Sequence, residues 1–122
     1  PAYAKEDSRA AAALVRREER PGDSIVVIYA FRPFQHYYAT VDGGTGTLFH
    51  LHKRYLQTAE GLQRHAADAK AGSRRVWLVL SRWWDVAPEP EIRAAFEAQL
   101  TEVRRWEFPG IKVTLYDAGE GA

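Results

Sequence analysis

Two short apolar runs constrain this chain more than any other feature. Ile25-Val26-Val27-Ile28 and Val76-Trp77-Leu78-Val79-Leu80 are continuous, rich in β-branched and aromatic residues, and too short for core helices. A strand without polar alternation has both faces covered, as do inner strands of a parallel sheet flanked by helices. Turn chemistry bounds the first run, with Pro21-Gly22-Asp23 before it and Arg32-Pro33 after it.

The intervals between strands read as helices. Asp7 or Ser8 can cap a helix through Ala10–Glu19, which Pro21-Gly22-Asp23 stops. Phe34–Val41 reads as a short helix carrying His36, Tyr37 and Tyr38. From Thr58, residues Leu62, Ala66 and Ala69 recur at helical spacing until Gly72. Pro88 and Pro90 open a fourth helix, with Ile92, Phe96, Leu100 and Val103 as its apolar stripe. Thr47–Leu51 is a weaker strand, and Ile111, Val113 and Leu115 alternate with Lys112, Thr114 and Tyr116 as a half-exposed edge strand.

This alternation predicts one α/β domain over residues 1–122. Its form is a three-layer α/β/α sandwich on a small, mostly parallel four-stranded sheet of order 2-1-3-4. The order places a switch point between the first and third strands, where open α/β sheets bind ligands beyond the strand C-termini.

Composition narrows the function classes. The chain is 46% hydrophobic and 27% charged, an ordinary globular balance that argues against disorder. The net charge of +1 gives no electrostatic address for nucleic acid. Arg16-Arg17 and Arg104-Arg105 stand beside Glu18, Glu19, Glu102 and Glu107 and read as solvated helix faces. With no cysteine there is no thiolate nucleophile, disulfide or Cys-ligated zinc. No apolar run approaches the roughly 20 residues of a membrane span. The chain contains no methionine and begins at Pro1, so it is expected to be a piece of a larger protein.

The residues leaving the two central strands form the candidate ligand site. Arg32 follows the first strand and Arg82 the third, with His36, Tyr37, Trp83 and Trp84 nearby. Two guanidinium groups over an aromatic floor suit a phosphate or a sugar. The competing reading is that the aromatics finish the core and the arginines pair with Asp85 or solvent.

His50 and His52 share one strand face but lack the further ligands of a zinc site, so no metal is expected. Gly43-Gly44-Thr45-Gly46 precedes a strand, whereas phosphate-cradling loops run from strand into helix. Ser81 ends a strand but lacks the Gly-x-Ser-x-Gly elbow. No catalytic residue and no cofactor is assigned.

Three segments together resemble a known family: Arg20-Pro21-Gly22-Asp23-Ser24-Ile25-Val26-Val27 with Tyr37-Tyr38 downstream, Arg74–Ser81, and Gly110–Tyr116. They are similar to the soluble extracytoplasmic C-terminal domain of bacterial multispanning glycosyltransferases, the group of the protein mannosyltransferases and the aminoarabinose transferase of lipid A. The resemblance runs from about Val15 to Asp117. It implies a non-catalytic accessory domain on the periplasmic side of the membrane, whose partners are the membrane-embedded part of the same chain and a polyprenyl-phosphate sugar or its acceptor. No residue here matches that family's catalytic loop. Two other readings stand beside it: a stand-alone phosphate- or sugar-binding α/β domain, and an interaction module that forms a weak homodimer through Ile111–Tyr116.

Overall fold

A computed structural model describes residues 7–29, 31–39, 45–51, 58–81 and 89–118 of the chain. The elements run α1 (Ser8–Glu18), β1 (Ser24–Ile28), α2 (Phe31–Ala39), β2 (Thr47–Leu51), α3 (Ala59–Gly72), β3 (Arg75–Ser81), α4 (Glu89–Glu97), β4 (Thr101–Phe108) and β5 (Ile111–Asp117). Their sheet has the order β2-β1-β3-β5-β4.

The two apolar runs are the inner parallel strands that their sequence requires. Ile28 lies opposite Leu80 and Ser24 opposite Val76, so β1 and β3 end level with each other. Alternate side chains feed two cores. Val26, Ile28, Val76, Leu78 and Leu80 pack under α3 and α4, while Ile25, Val27, Trp77 and Val79 pack under α1 and α2. The α/β/α layering therefore holds.

The sheet itself differs from expectation. It has five strands and is mixed, because β5 runs antiparallel to both β3 and β4. Ile111–Asp117 lies inside the sheet, not at its edge, so it has no free strand edge to pair with a second copy. The edge is β4, which the sequence reading absorbed into the last helix. That helix ends at Glu97; Leu100 still reaches the core, but Val103 is 57% exposed on β4, where a bulge between Glu102 and Arg104 interrupts the register. A bulge and four charged residues protect this edge from pairing with another strand. The helix expected over Phe34–Val41 is Phe31–Ala39.

The end of the sheet where β1 and β3 begin is tied by a buried carboxylate. Asp23 is 2% exposed. It accepts hydrogen bonds from Arg75 Nε at 3.2 Å, Trp77 Nε1 at 2.9 Å and the Arg20 amide at 3.0 Å. Arg75 Nη2 also donates to the Glu18 carbonyl, joining the end of α1 to β3. A buried charge is tolerable only with such compensation. At the same end Tyr38 donates to Glu19 and accepts from the Gly46 amide at 2.8 Å. Burial and the Glu19 carboxylate push the Tyr38 hydroxyl pKa well above its usual value. A Cβ at Gly46 would fall 2.7 Å from Ile25 Cδ1 and 2.8 Å from the Asp23 carbonyl, so this glycine serves packing.

Candidate functional site

The opposite end, where β1 and β3 finish, is built differently. Directly after β1, Tyr29 adopts φ 60°, a left-handed conformation uncommon outside glycine and concentrated at functional sites. The kink turns the chain into α2, whose first turn carries Arg32 and Pro33 and no acidic residue. Arg32 is exposed there. A helix start offers unpaired amides and the positive end of its dipole, which favour an anion.

Ser81 closes β3 one position beyond the Ile28–Leu80 pair. By strand alternation its side chain shares the face of Trp77 and Val79, the α1/α2 side. Ser81 is fully buried, and its Oγ has no hydrogen-bond partner. Ser8, in the first turn of α1, is also buried with an unpartnered hydroxyl. The Asp7 amide bonds the Pro109 carbonyl at the β4–β5 turn, which places the start of α1 at this same end of the sheet. Among the described residues three buried side-chain polar atoms lack a partner, and two of them are these serines. Buried hydroxyls are normally paired, so unpaired ones mark a place to look for a ligand.

The third such atom is Arg93 Nη2, within a polar cluster between α4 and β5. Arg93 Nε donates to Glu89 at 2.7 Å and Nη1 to Thr114 Oγ1 at 2.8 Å. Lys112 donates to Glu89 at 3.0 Å, and Tyr116 donates to Glu97 at 3.0 Å. Burial alone would raise the Glu89 pKa, but the hydrogen bonds and charges of Arg93 and Lys112 prevail and lower it. Burial, then Glu97, raises that of Tyr116.

The described residues include only part of the sequence-derived site. Arg32 stands at the expected end of the sheet. Arg82 and Trp84 lie outside the described residues, as do Asp42, His52, Trp83 and Asp85. Tyr37 points away from the crevice, toward α1, where the Arg9 guanidinium sits 5.4 Å from its ring centre. His36 meets Tyr37 edge-to-face at 5.1 Å. The cause is helical phase: Phe34 and Tyr38 take the buried stripe of α2, which leaves positions 36 and 37 outside. His50 stacks on Phe31 at 4.4 Å. Among the described residues no group of three or more His, Asp or Glu could hold a metal ion. Ser81 and Ser8 were not singled out as ligand contacts by sequence reasoning, since only burial without a partner marks them.

No protein-family model matches the chain, and no curated protein matches it. Among solved structures it is similar to the protein-(glutamine-N5) methyltransferase (release factor-specific) of Alicyclobacillus acidocaldarius subsp. acidocaldarius DSM 446, at 11% identity and a TM-score of 0.45, over 92% of this chain and 91% of that one. These findings correct the glycosyltransferase resemblance: no family model and no curated protein supports it, the similar solved structure is a methyltransferase, and the accessory-domain reading that rested on the resemblance is not carried further. The segments that carried it are the Asp23 turn and the buried strands β1, β3 and β5, whose residues follow from building an inner strand. Among the described residues no helix is long and apolar enough to cross a membrane.

Proposed function

We propose that this chain is a ligand-binding α/β domain whose site is the crevice beyond the C-terminal ends of β1 and β3, and whose ligand carries an anionic, phosphate-like group. The unpartnered, fully buried Ser81 hydroxyl at that end is the observation that carries the reading. The start of α2, its acid-free first turn and the exposed Arg32 support it, since charge-assisted bonds to an anion need such donors. Arg82 and Trp84 belong to the proposed site by their position in sequence directly after Ser81. The role we propose is binding.

Titration of inorganic phosphate and glycerol 3-phosphate, followed by calorimetry, tests this. Ser81→Ala and an Arg32→Ala, Arg82→Ala double variant should each weaken binding about tenfold or more. Binding equal to wild type in both variants, or none in any protein, removes the crevice as a site.

A further inference from the structure

The near-neutral net charge conceals two oppositely charged layers. On α1 three arginines stand against Glu18, and α2 adds Arg32, so this layer carries +3. On the other side α3 is balanced, with two acids and two bases, and α4 sets three glutamates against Arg93, so that layer carries −2. The positive layer holds a shallow depression of about 410 Å³, lined by Ala13, Arg16, Arg17 and Tyr37.

We infer that this depression is a second binding site, independent of the crevice, for a sugar bearing one anionic group. Its parts divide the work. Tyr37 is 39% exposed, one of two large hydrophobic side chains so exposed among the described residues, and its ring is a platform for the apolar face of a sugar. Arg9 lies over one face of that ring, which leaves the opposite face for the sugar. Ala13, small and exposed on α1, leaves the space above it open.

The charge comes from Arg17. Its side chain is 67% exposed and bonds the neighbouring Glu18 at 3.3 Å. A solvent-exposed pair of that kind contributes little, so a ligand anion can replace it at low cost. Arg16 has another task. It donates to the Tyr38 carbonyl at 2.7 Å and pairs with Glu19, so it holds α1 to α2 and shapes the wall. The ligand class follows from the combination: an anion alone forgoes the stacking on Tyr37, and a neutral sugar forgoes the ion pair with Arg17. A carboxylate on the ring and a phosphate attached to it satisfy the same chemistry.

The test is a titration of the isotope-labelled chain with glucuronate, glucose 1-phosphate, glucose and inorganic phosphate, read by amide chemical shifts. The two anionic sugars should perturb Ala13, Arg17 and Tyr37 and bind about threefold to tenfold more tightly than glucose or phosphate. Tyr37→Ala and Arg17→Ala should each remove that preference, and both positions are exposed enough to leave the fold intact. Ser81→Ala should leave these shifts unchanged, so failure at the crevice and failure here are separable. Phosphate perturbing the same amides as strongly, with Tyr37→Ala silent, would reduce the depression to a patch of positive charge and overturn the inference. Perturbations that appear only around Ser81 and Arg32 would overturn it as well.

Discussion

The two ends of the sheet use similar residue types to opposite ends. Where β1 and β3 begin, the polar side chains close on one another: Asp23 takes three donors, Arg75 spans Asp23 and the Glu18 carbonyl, and Ser24 Oγ donates to the Ala69 carbonyl at 2.7 Å. Where they finish, Ser81 and Ser8 are equally buried and have no partner, and the backbone at Tyr29 is held in a left-handed conformation. A paired buried group stabilises and specifies the fold, whereas an unpaired one costs stability and is retained where something else is gained. The first end is architecture, and the second is where we propose that a ligand binds.

The comparison is broken most forcefully at Trp77, which belongs to the closed end through its bond to Asp23 and to the core through its ring. Trp77→Ala should cost roughly 3–5 kcal/mol in denaturant unfolding. A loss under about 1 kcal/mol would contradict the burial of β3. Next comes Asp23→Ala, which strands Arg75 and the indole N–H and should cost about 3 kcal/mol. If Asp23→Ala unfolds at the wild-type midpoint, the closed end is not held by this carboxylate.

A smaller effect distinguishes α4, which starts at the open end. The folded-state pKa of Glu89 is lowered, so its contribution is present above the unfolded value near 4.5 and is lost as pH falls through the lower folded value. Glu89→Gln should therefore destabilise the chain at neutral pH by about 1 kcal/mol and flatten the acid limb of a stability–pH curve. An unchanged acid limb would show that Lys112 and Arg93 do not hold the carboxylate in solution. Smallest is Ser81→Ala, which removes a hydroxyl without a partner. It should be neutral, or stabilising by up to about 1 kcal/mol, while phosphate binding weakens about tenfold or more. Destabilisation beyond about 1 kcal/mol would assign Ser81 to the architecture and erase the contrast between the ends.

What was legible in the sequence follows from how many neighbours dictate a position. β1 and β3 are covered on both faces, so every side chain from Ile25 to Ile28 and from Val76 to Leu80 is apolar and the runs announce themselves. β4 is the opposite case. It lies at an edge with six of its eight residues exposed, and Thr101-Glu102-Val103-Arg104-Arg105 shows neither alternation nor an apolar run. Leu100 and Val103 happened to continue the spacing of Ile92 and Phe96, so the helical stripe was read too far. β5 is an inner strand although its alternating polar residues suggest a solvent-facing side. Thr114 and Tyr116 are buried, and partners on α4, Arg93 and Glu97, satisfy their hydroxyls. The position of Arg32 was legible from topology, but the direction of Tyr37 was not, since it depends on where α2 begins. The unpaired state of Ser81 depends on everything around it, and no local pattern encodes that.

The stacking of Trp77 on Trp106 has an optical consequence. The two indoles lie on β3 and β4, 5.7 Å apart and 24° from parallel, with β5 threaded between their strands. Chromophores this close share their excited states, so their strong far-ultraviolet indole absorption should split into a pair of circular-dichroism bands of opposite sign. One ring is sealed in the core beside a carboxylate, and the other lies partly exposed under Arg104. The part of the couplet that a Trp106→Phe change removes, as distinct from any coupling of the adjacent Trp83 and Trp84, can arise only when the β4–β5 hairpin has docked onto β3, because nothing in the local sequence brings positions 77 and 106 together. The chain therefore carries its own spectroscopic gauge of whether its sheet is complete.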